Sequence, residues 1–420
     1  MADLKGLTDN MVSEKDIKSK KERINYIILT ITIFAGFLIF GFSENIKGPA
    51  IPRIQADFSL SEFQIGLLLA TNSFAYLLAC FYTAGMARKI GLKATLIICL
   101  AGMAASGAGI CFSSDYPALV TAYFIMYLGN GMLEITLGVM AANIFVKNTG
   151  TMMSLSHFFY GLSSAVAPIL AASMMEMRFS QQTLGWRYMY LIVLLWSLIP
   201  IIPAVLGKIN KNTDNDAKIS YKLFLENKKA WLIILILSLA VTSEMSVGGW
   251  LVNFSEKAYL LTEAQSAVVL TGFFICFMLA RLLFGPIIDK IGFTKSLLIC
   301  TAFSGFSIIA GVLIGKAGIG LLIASGFGVA PVYPIVMSML AKIFKENIDS
   351  AMTVTLTIMG IVIVIGNLLV GAIVDASKLL FGSIAFSYSV GYVFIGLCSA
   401  AAFFVTLNLY RKLKRENELI

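Results

Sequence analysis

Long apolar stretches limit the possible folds of this chain more than any other feature of its sequence. Twelve windows of about 20 residues or more are apolar enough to cross a hydrocarbon layer of roughly 30 Å. A backbone in lipid must satisfy its polar groups within the chain, so each window is expected to be a helix. We predict an all-α membrane protein with transmembrane spans 1 to 12 at residues 25–50, 62–86, 92–112, 117–146, 151–175, 186–207, 230–254, 265–288, 293–315, 317–343, 351–374 and 384–410.

The composition excludes several functional classes. Only 13% of the residues are charged, against about 25% in a soluble domain, so a water-soluble protein is excluded. The net charge of +9 comes from short basic clusters between apolar windows, a pattern that does not indicate nucleic-acid binding. The six cysteines form no C-x-x-C pair, and no nucleophile-and-base pair or phosphate loop stands out. We therefore expect no enzyme, no metal site and no cofactor.

The basic residues predict the orientation of the spans. If both termini are cytoplasmic, 24 of the 32 lysines and arginines fall on the inner side and 7 on the outer side, with Arg281 inside a helix. The polar segment before the first span lacks the apolar core of a signal peptide, which favours a retained tail. We predict an inner (plasma) membrane protein with a cytoplasmic tail at 1–24, six-helix bundles at 25–207 and 230–410, a cytoplasmic linker at 208–229 and a second cytoplasmic tail at 411–420.

The two halves of the chain repeat each other. The recurring pairs are Gly91 and Gly292 at an offset of 201, Ser43-Glu44 and Ser243-Glu244 at 200, and Gly129-x-Gly131 and Gly326-x-Gly328 at 197. Three matches at nearly one spacing indicate duplication, as in transporters built from two similar halves. We predict two pseudo-symmetric six-helix bundles around one cavity at the middle of the membrane.

Three acidic residues lie inside apolar windows. An ionised carboxylate at this depth is costly, so Glu44, Glu134 and Glu244 are expected to face a watery cavity and to serve the coupled movement of a proton or cation with a solute. Glu134 is our first candidate for coupling. A low-dielectric site makes the ionised form of a carboxyl group costly, so the group can bind and release a proton near neutral pH. Asn130 lies four residues earlier and shares its helix face. The alternative is a permanently neutral, structural carboxyl.

The other two acids leave more alternatives open. Glu44 either faces the cavity as a coupling residue, sits at the outer mouth, or pairs with Lys47, because nearby prolines predict that the helix ends close to it. Glu244 precedes Gly248-Gly249, where a broken helix would free carbonyls for a sugar hydroxyl or Na+. His157, the single histidine, is a substrate contact, a coupling partner, or a structural hydrogen-bonder.

Short motifs resemble a known family. The loop Gly285-Pro-Ile-Ile-Asp289-Lys290-Ile-Gly292 resembles the G-x-x-x-D-[RK]-x-G motif of the major facilitator superfamily. Its first-half copy is degenerate, with Arg88 at the place of the Asp and Gly91 conserved in position. Five further segments resemble the fucose:H+ symporter family and its glucose-type relatives: Leu128 to Glu134, Ser156 to Gly161, Ser243 to Leu251, Arg281 to Gly285, and Gly326 to Pro334.

The resemblance implies an architecture and a set of gating residues. Spans 1, 4, 7 and 10 are expected to line the cavity, and spans 3, 6, 9 and 12 to face lipid. Gating is expected to involve the loop residues Gly285, Asp289, Lys290, Gly292, Arg88 and Gly91. Arg281 is interpreted as a latch near the inner loop, and alternatively as a counter-ion for Glu244.

The resemblance and the polar residues together suggest a sugar as the solute. Candidate contacts are Glu244, Trp250, Asn253, Asn130, His157, Tyr160, Asn72 and Asn367, with Tyr76, Phe158 and Phe159 as weaker candidates. We predict a monomeric secondary transporter in the lipid bilayer, a sugar symporter coupled to H+ or Na+. A proton-driven exporter of drugs, amphiphiles or lipid-linked sugars is the main alternative, and a non-transporting sugar sensor is a second.

Overall fold

The computed structural model describes residues 2–145, 149–179, 182–209, 226–344 and 348–416. Twelve of the helices in these ranges are long and apolar enough to cross a membrane. The all-α fold with twelve spans is therefore confirmed, and the protein is an integral membrane protein. The spans run over Lys20–Phe58, Glu62–Ile90, Leu92–Cys111, Tyr116–Ile144, Leu155–Glu176, Gly185–Leu206, Lys228–Tyr259, Glu263–Leu283, Phe293–Leu313, Gly315–Leu340, Ala351–Phe381 and Ile384–Arg415.

Several spans consist of more than one helical segment. The α-helices cover Ala2–Asn45, Lys47–Phe58, Glu62–Ile90, Leu92–Cys111, Tyr116–Ile144, Thr149–Glu176, Gly185–Leu195, Ile201–Leu206, Lys228–Tyr259, Glu263–Leu283, Gly285–Ile291, Phe293–Leu313, Ile319–Val329, Val332–Ile343, Ile348–Phe381 and Ile384–Arg415, with 3₁₀ turns at Trp196–Leu198 and Gly315–Gly318. Breaks in spans 6 and 10 fall at Pro200 and Pro331, because proline cannot donate the helix hydrogen bond. A two-stranded hairpin pairs Arg178–Phe179 with Gln182–Thr183 between spans 5 and 6.

The first helix begins at Ala2 and so includes most of the segment predicted as a cytoplasmic tail, whereas the candidate membrane span begins at Lys20. The last helix continues to Arg415, into the predicted second tail. Most of the predicted linker, residues 210–225, lies outside the described residues, as do residues 417–420.

The duplication predicted from glycine spacing is visible in local geometry. Gly91 and Gly292, which each separate two helices, have φ values of +89° and +87°, a conformation that only glycine adopts readily. The links that precede spans 2 and 8 also match. Ser59 and Leu260 both have positive φ, at 51° and 54°, and capping boxes follow at Ser61 with Gln64 and at Thr262 with Gln265. All of these pairs are 201 positions apart, which confirms two pseudo-symmetric halves.

One hydrophobic cluster of buried residues continues from the N-terminal bundle into the C-terminal bundle, and most of its C-terminal members lie on one side of the molecule. An even number of spans puts Lys20 and Arg415 on the same side, which we call the terminal side, and the opposite side is the far side. One buried cluster joins residues of the N-terminal bundle, such as Leu69, to residues at the far-side ends of the C-terminal bundle, such as Leu270 and Tyr388. The terminal half of the C-terminal bundle has a separate cluster. The bundles therefore pack tightly on the far side.

Candidate functional site

A cavity of about 550 Å³ lies between the two bundles near the middle of the spans. Its lining includes all three acids that were singled out in the sequence, together with His157 and Arg281. Among the lining residues, His157 near the start of span 5 and Leu282 at the end of span 8 are exposed. Both lie toward the terminal side, so the cavity opens in that direction.

The far side is closed by charged contacts between the bundles. Arg53 of span 1 donates to Glu256 of span 7 at 2.6 Å and forms a second ion pair with Glu263 of span 8. In the other direction, Glu62 of span 2 forms an ion pair with Lys378 of span 11. Glu62 and Glu263 are 201 positions apart, so equivalent acids of the two halves each receive a cation from the opposite bundle.

Hydrogen bonds from neutral donors to carboxyl groups, together with close approach of two backbones, complete this far-side closure. The Tyr388 hydroxyl donates to the Glu62 carboxylate at 2.6 Å, and the Phe63 amide donates to Asp375 of span 11 at 2.7 Å. A Cβ atom on Gly66 would stand 2.6 Å from the Asn367 carbonyl oxygen, so only glycine permits this contact between spans 2 and 11. The structure is therefore a conformation closed on the far side and open on the terminal side.

Glu44 is the centre of a polar cluster in the far-side part of the cavity. It forms an ion pair with Lys47, and both residues are at most 8% exposed. Asn72 of span 2 donates to Glu44 Oε1 at 2.8 Å, and Asn130 of span 4 donates to Oε2 at 3.3 Å. The pairing with Lys47 was one of the three alternatives for this residue, and the helix ends at Asn45 as the prolines predicted. Here Glu44 already has a tethered cation.

Glu134 and Glu244 face the cavity from opposite bundles. Glu134 lies on span 4 and lines the cavity together with Tyr76 of span 2, which is close by. Glu244 lies on span 7, and Arg281 of span 8 is near enough to interact electrostatically with both acids. Both acids are partly accessible from the cavity. The acids are therefore positioned to exchange protons with cavity water.

Arg281 lies two residues before the terminal-side end of span 8, close in sequence to the inner loop, so its interpretation as a latch stays a prediction. It lines the cavity, where its guanidinium group packs 4.3 Å from the centre of the Phe277 ring. Its Nε donates to the Ala330 carbonyl oxygen at 3.4 Å. Its charge is also near enough to Glu244 and Glu134 to act on both, so the alternative interpretation as a counter-ion stays open as well.

Three of the predicted solute contacts do not line the cavity in this conformation. Trp250 is 1% exposed and is packed in the core, and Asn253 is 0% exposed and donates to Gln55 at 3.2 Å. Asn367 is 2% exposed and its side chain lies next to Ser246. None of the three lines the cavity within the described part of the chain. Apolar windows do not reveal which face of a helix packs on its neighbours, and these residues lie on packed faces.

The predicted break at Gly248-Gly249 is also wrong. The helix runs without interruption from Lys228 to Tyr259. A Cβ atom on Gly249 would stand 2.8 Å from Leu69 of span 2. The glycine is therefore required for close packing between the bundles, and it does not free carbonyl groups for a ligand.

The remaining predicted residues divide between cavity and loops. Asn72, Asn130, His157 and Tyr160 line the cavity as predicted. Gly285 and Gly91 lie at the terminal side, with Arg88 and Lys290 exposed beside them. The side chain of Asp289 lies outside the described residues, so its gating role stays a prediction. Sequence reasoning missed Tyr127, although its spacing of three and seven residues from Asn130 and Glu134 gives it the same helix face.

The two walls of the cavity differ in chemistry. Nine of the twelve lining residues from the N-terminal bundle are polar: Glu44, Asn72, Ser73, Tyr76, Tyr127, Asn130, Glu134, His157 and Tyr160. Only three of the thirteen from the C-terminal bundle are polar: Glu244, Arg281 and Tyr333. The rest of that wall includes four methionines: Met245, Met278, Met337 and Met359. The site can hydrogen-bond a solute on one side and pack apolar groups on the other.

Comparisons with known proteins agree with this architecture. A curated relative, the solute carrier family 2 facilitated glucose transporter member 10 of Danio rerio, is 25% identical over 193 residues, which is 43% of this chain and 35% of that protein. The matches to curated relatives span only 25% to 38% of those proteins' own length.

Two kinds of solved structure are similar over most of their length. The transporter FucP in its outward conformation has a TM-score of 0.64 and 18% identity, covering 92% of this chain and 99% of that one. A bacterial homologue of the human lysosomal transporter Spinster, inward-facing and unoccupied, has a TM-score of 0.72 and 12% identity, covering 93% and 98%. The profile of the Major Facilitator Superfamily matches residues 33–260 and again residues 233–419. The chain therefore belongs to the Major Facilitator Superfamily of transporters.

Proposed function

We propose that the protein is a proton-coupled sugar symporter that works by alternating access. The observation that carries this proposal is the charge balance of the cavity. Three carboxyl groups, Glu44, Glu134 and Glu244, line it, whereas two basic side chains, Lys47 and Arg281, face them among the described residues. With His157 neutral, one carboxyl has no cation of its own. A proton that binds to this carboxyl makes the site neutral.

Glu134 is the best candidate for the acid that takes the proton. Glu44 is already paired with Lys47, and Glu244 shares its wall with Arg281. Glu134 instead lies near the neutral side chain of Tyr76 in the cavity wall. An unpaired charge is costly to enclose without water, so protonation of Glu134 lowers the free energy of closing the cavity. The carrier with bound solute and proton then switches between its outward-open and inward-open conformations more readily than the empty, charged carrier.

The orientation of this cycle follows from the basic residues. We assign the terminal side to the cytoplasm, because 24 lysines and arginines belong to that side and 7 to the other. The cavity of the present conformation would then release solute and proton inward. Return to the outward conformation requires separation of the far-side ion pairs of Arg53 and Glu62.

A proton suits the site better than Na+. The sequence suggested a Na+ site from carbonyl groups freed at Gly248-Gly249, and that helix is continuous. Without those oxygens the hypothesis of a Na+ site loses its main support, whereas a carboxyl beside a tyrosine hydroxyl needs no further ligand to hold a proton.

The sugar assignment is supported by the polar wall. Asn72, Asn130 and Tyr160 offer donors and acceptors that match hydroxyl groups. Two of the similar proteins support the same proposal by analogy: the facilitated glucose transporter, and FucP, which is a fucose:proton symporter. The apolar wall of the C-terminal bundle favours the second candidate function, a proton-driven exporter of amphiphiles.

Counterflow in reconstituted vesicles tests the proposal. Vesicles are loaded with one unlabelled member of a panel of hexoses, amino sugars and amphiphilic cations, and entry of the labelled compound is followed with and without a pH gradient or Na+. We expect exchange of a sugar, and accumulation driven by the pH gradient and independent of Na+. Exchange of amphiphilic cations without any sugar would refute the sugar assignment, and accumulation that requires Na+ would refute the proton.

A further inference from the structure

We infer that the cargo is an amphipathic glycoside, a hydroxylated ring with an apolar substituent, and not a free sugar. The inference rests on the proposed transport function and names its substrate class. It starts from the division of the cavity wall, in which polar residues make up nine of twelve on one bundle and three of thirteen on the other.

The polar wall is preorganised for a ring with hydroxyl groups. Glu44 fixes the amides of Asn72 and Asn130, and the Asn130 carbonyl oxygen also accepts a hydrogen bond from the Ser43 hydroxyl at 2.7 Å. The carbonyl oxygen of Asn72 remains available to accept a hydrogen bond from a solute. The Tyr127 side chain lines the same wall and is 1% exposed, and its hydroxyl has no hydrogen-bond partner among the described residues. A buried hydroxyl without a partner is costly, so a hydroxyl of the cargo is its expected partner.

The apolar wall is unsuited to the opposite edge of the same ring. Met245, Met278, Met337 and Met359 offer no strong donor or acceptor, and Ile363 lies beside them. A sugar hydroxyl that is pressed against them when the cavity closes would lose its water partners without replacement. An alkyl or aryl substituent would instead gain contact, and flexible methionine side chains adapt to substituents of different shape.

The size of the cavity agrees with a cargo larger than one ring. Its volume of about 550 Å³ lies within the range of roughly 300–1,000 Å³ that holds drug-sized ligands. A ring held by Tyr127 and Asn72 on one wall leaves the space next to the methionines for the substituent.

Binding to the full-length protein in lipid nanodiscs tests the inference. Equilibrium dialysis would compare labelled glucose with methyl, butyl and hexyl β-glucopyranosides below their micellar concentrations. Empty nanodiscs and the matching alkanols serve as blanks. We expect affinity to rise by up to about fourfold for each added methylene. Met337→Gln should flatten this dependence, whereas Met177→Gln, an exposed methionine remote from the cavity, should leave it unchanged.

A variant of the polar wall tests the other half of the inference, that this wall binds the sugar ring. Asn72→Leu should weaken methyl and hexyl glycosides by the same factor, because both present the same ring. If glucose and hexyl glycoside bind equally, the inference is overturned while the sugar function stands. If no sugar or glycoside binds, and alkanols or amphiphilic cations do, both the inference and the proposed function fail. The dependence of affinity on alkyl length in the parent protein tests the inference even if a variant does not fold.

Discussion

Arg53 makes two of the ion pairs that close the far side, so Arg53→Gln is a sharp perturbation of the closed state. The substitution leaves Glu256 and Glu263 without their cation. The three side chains are 16% to 24% exposed, so each lost pair is assigned the upper value for a partly solvated pair, about 1 kcal/mol. A total of about 2 kcal/mol corresponds to roughly a 30-fold rise in the ratio of far-side-open to far-side-closed molecules.

Thiol labelling from the far side measures this shift. Leu69 is 4% exposed and packs against Gly249 across the bundle interface, so Leu69→Cys reports on separation of the bundles. A membrane-impermeant maleimide is added to right-side-out vesicles, and the parent chain with its native cysteines is the blank. Arg53→Gln should speed labelling roughly 30-fold as an upper limit, and Arg53→Lys should give an intermediate rate because it keeps the charge but loses the forked geometry.

Lys316→Gln is the matched control, since Lys316 is an exposed far-side cation away from the bundle interface. It should leave the labelling rate unchanged. A rate for Arg53→Gln within threefold of the parent, or an equal rise in the Lys316 variant, would contradict the view that these ion pairs hold the far side closed.

Three further predictions address other parts of the molecule. Lys47→Met should lower the free energy of unfolding by about 3 kcal/mol, because it leaves Glu44 buried without a cation. In detergent the melting temperature should fall, and the double variant with Glu44→Gln should recover most of this loss. Gly66→Ala should reduce transport and speed far-side labelling, since its Cβ would clash with the Asn367 carbonyl; unchanged labelling would contradict the close packing. Trp250→Phe should leave the apparent substrate affinity within about twofold, because the side chain is buried away from the cavity, and a much larger loss in a competition assay would support the stacking role predicted from the sequence.

The spans could be predicted because the membrane imposes a simple condition on the sequence. Apolar length alone identified all twelve, and repeated glycines such as Gly91 and Gly292 identified the duplication. These positions adopt a positive φ, which favours glycine over other residues, so this local requirement is visible in the sequence. Acids in apolar windows indicated the cavity, because an unsolvated carboxylate at that depth is too costly for another location.

Features that depend on helix packing could not be predicted in the same way. Trp250 and Asn253 are chemically suited to bind a sugar, yet they lie on packed faces of span 7. Hydropathy does not tell which face of a helix packs against its neighbours and which faces the cavity. Gly249 was interpreted as a helix breaker, whereas it allows Leu69 to approach closely. The ion pairs of Arg53 join residues about 200 positions apart, and they form only when the two bundles meet.

The electrostatic role of Glu134 is the central claim, and uphill transport by Glu134→Gln tests it most directly. The amide is permanently neutral, so the variant should exchange solute in counterflow but should not accumulate it on a pH gradient. Glu176→Gln, which neutralises an exposed acid outside the cavity, should behave like the parent in both assays. Accumulation by Glu134→Gln equal to that of the parent, with the same dependence on external pH, would contradict the account.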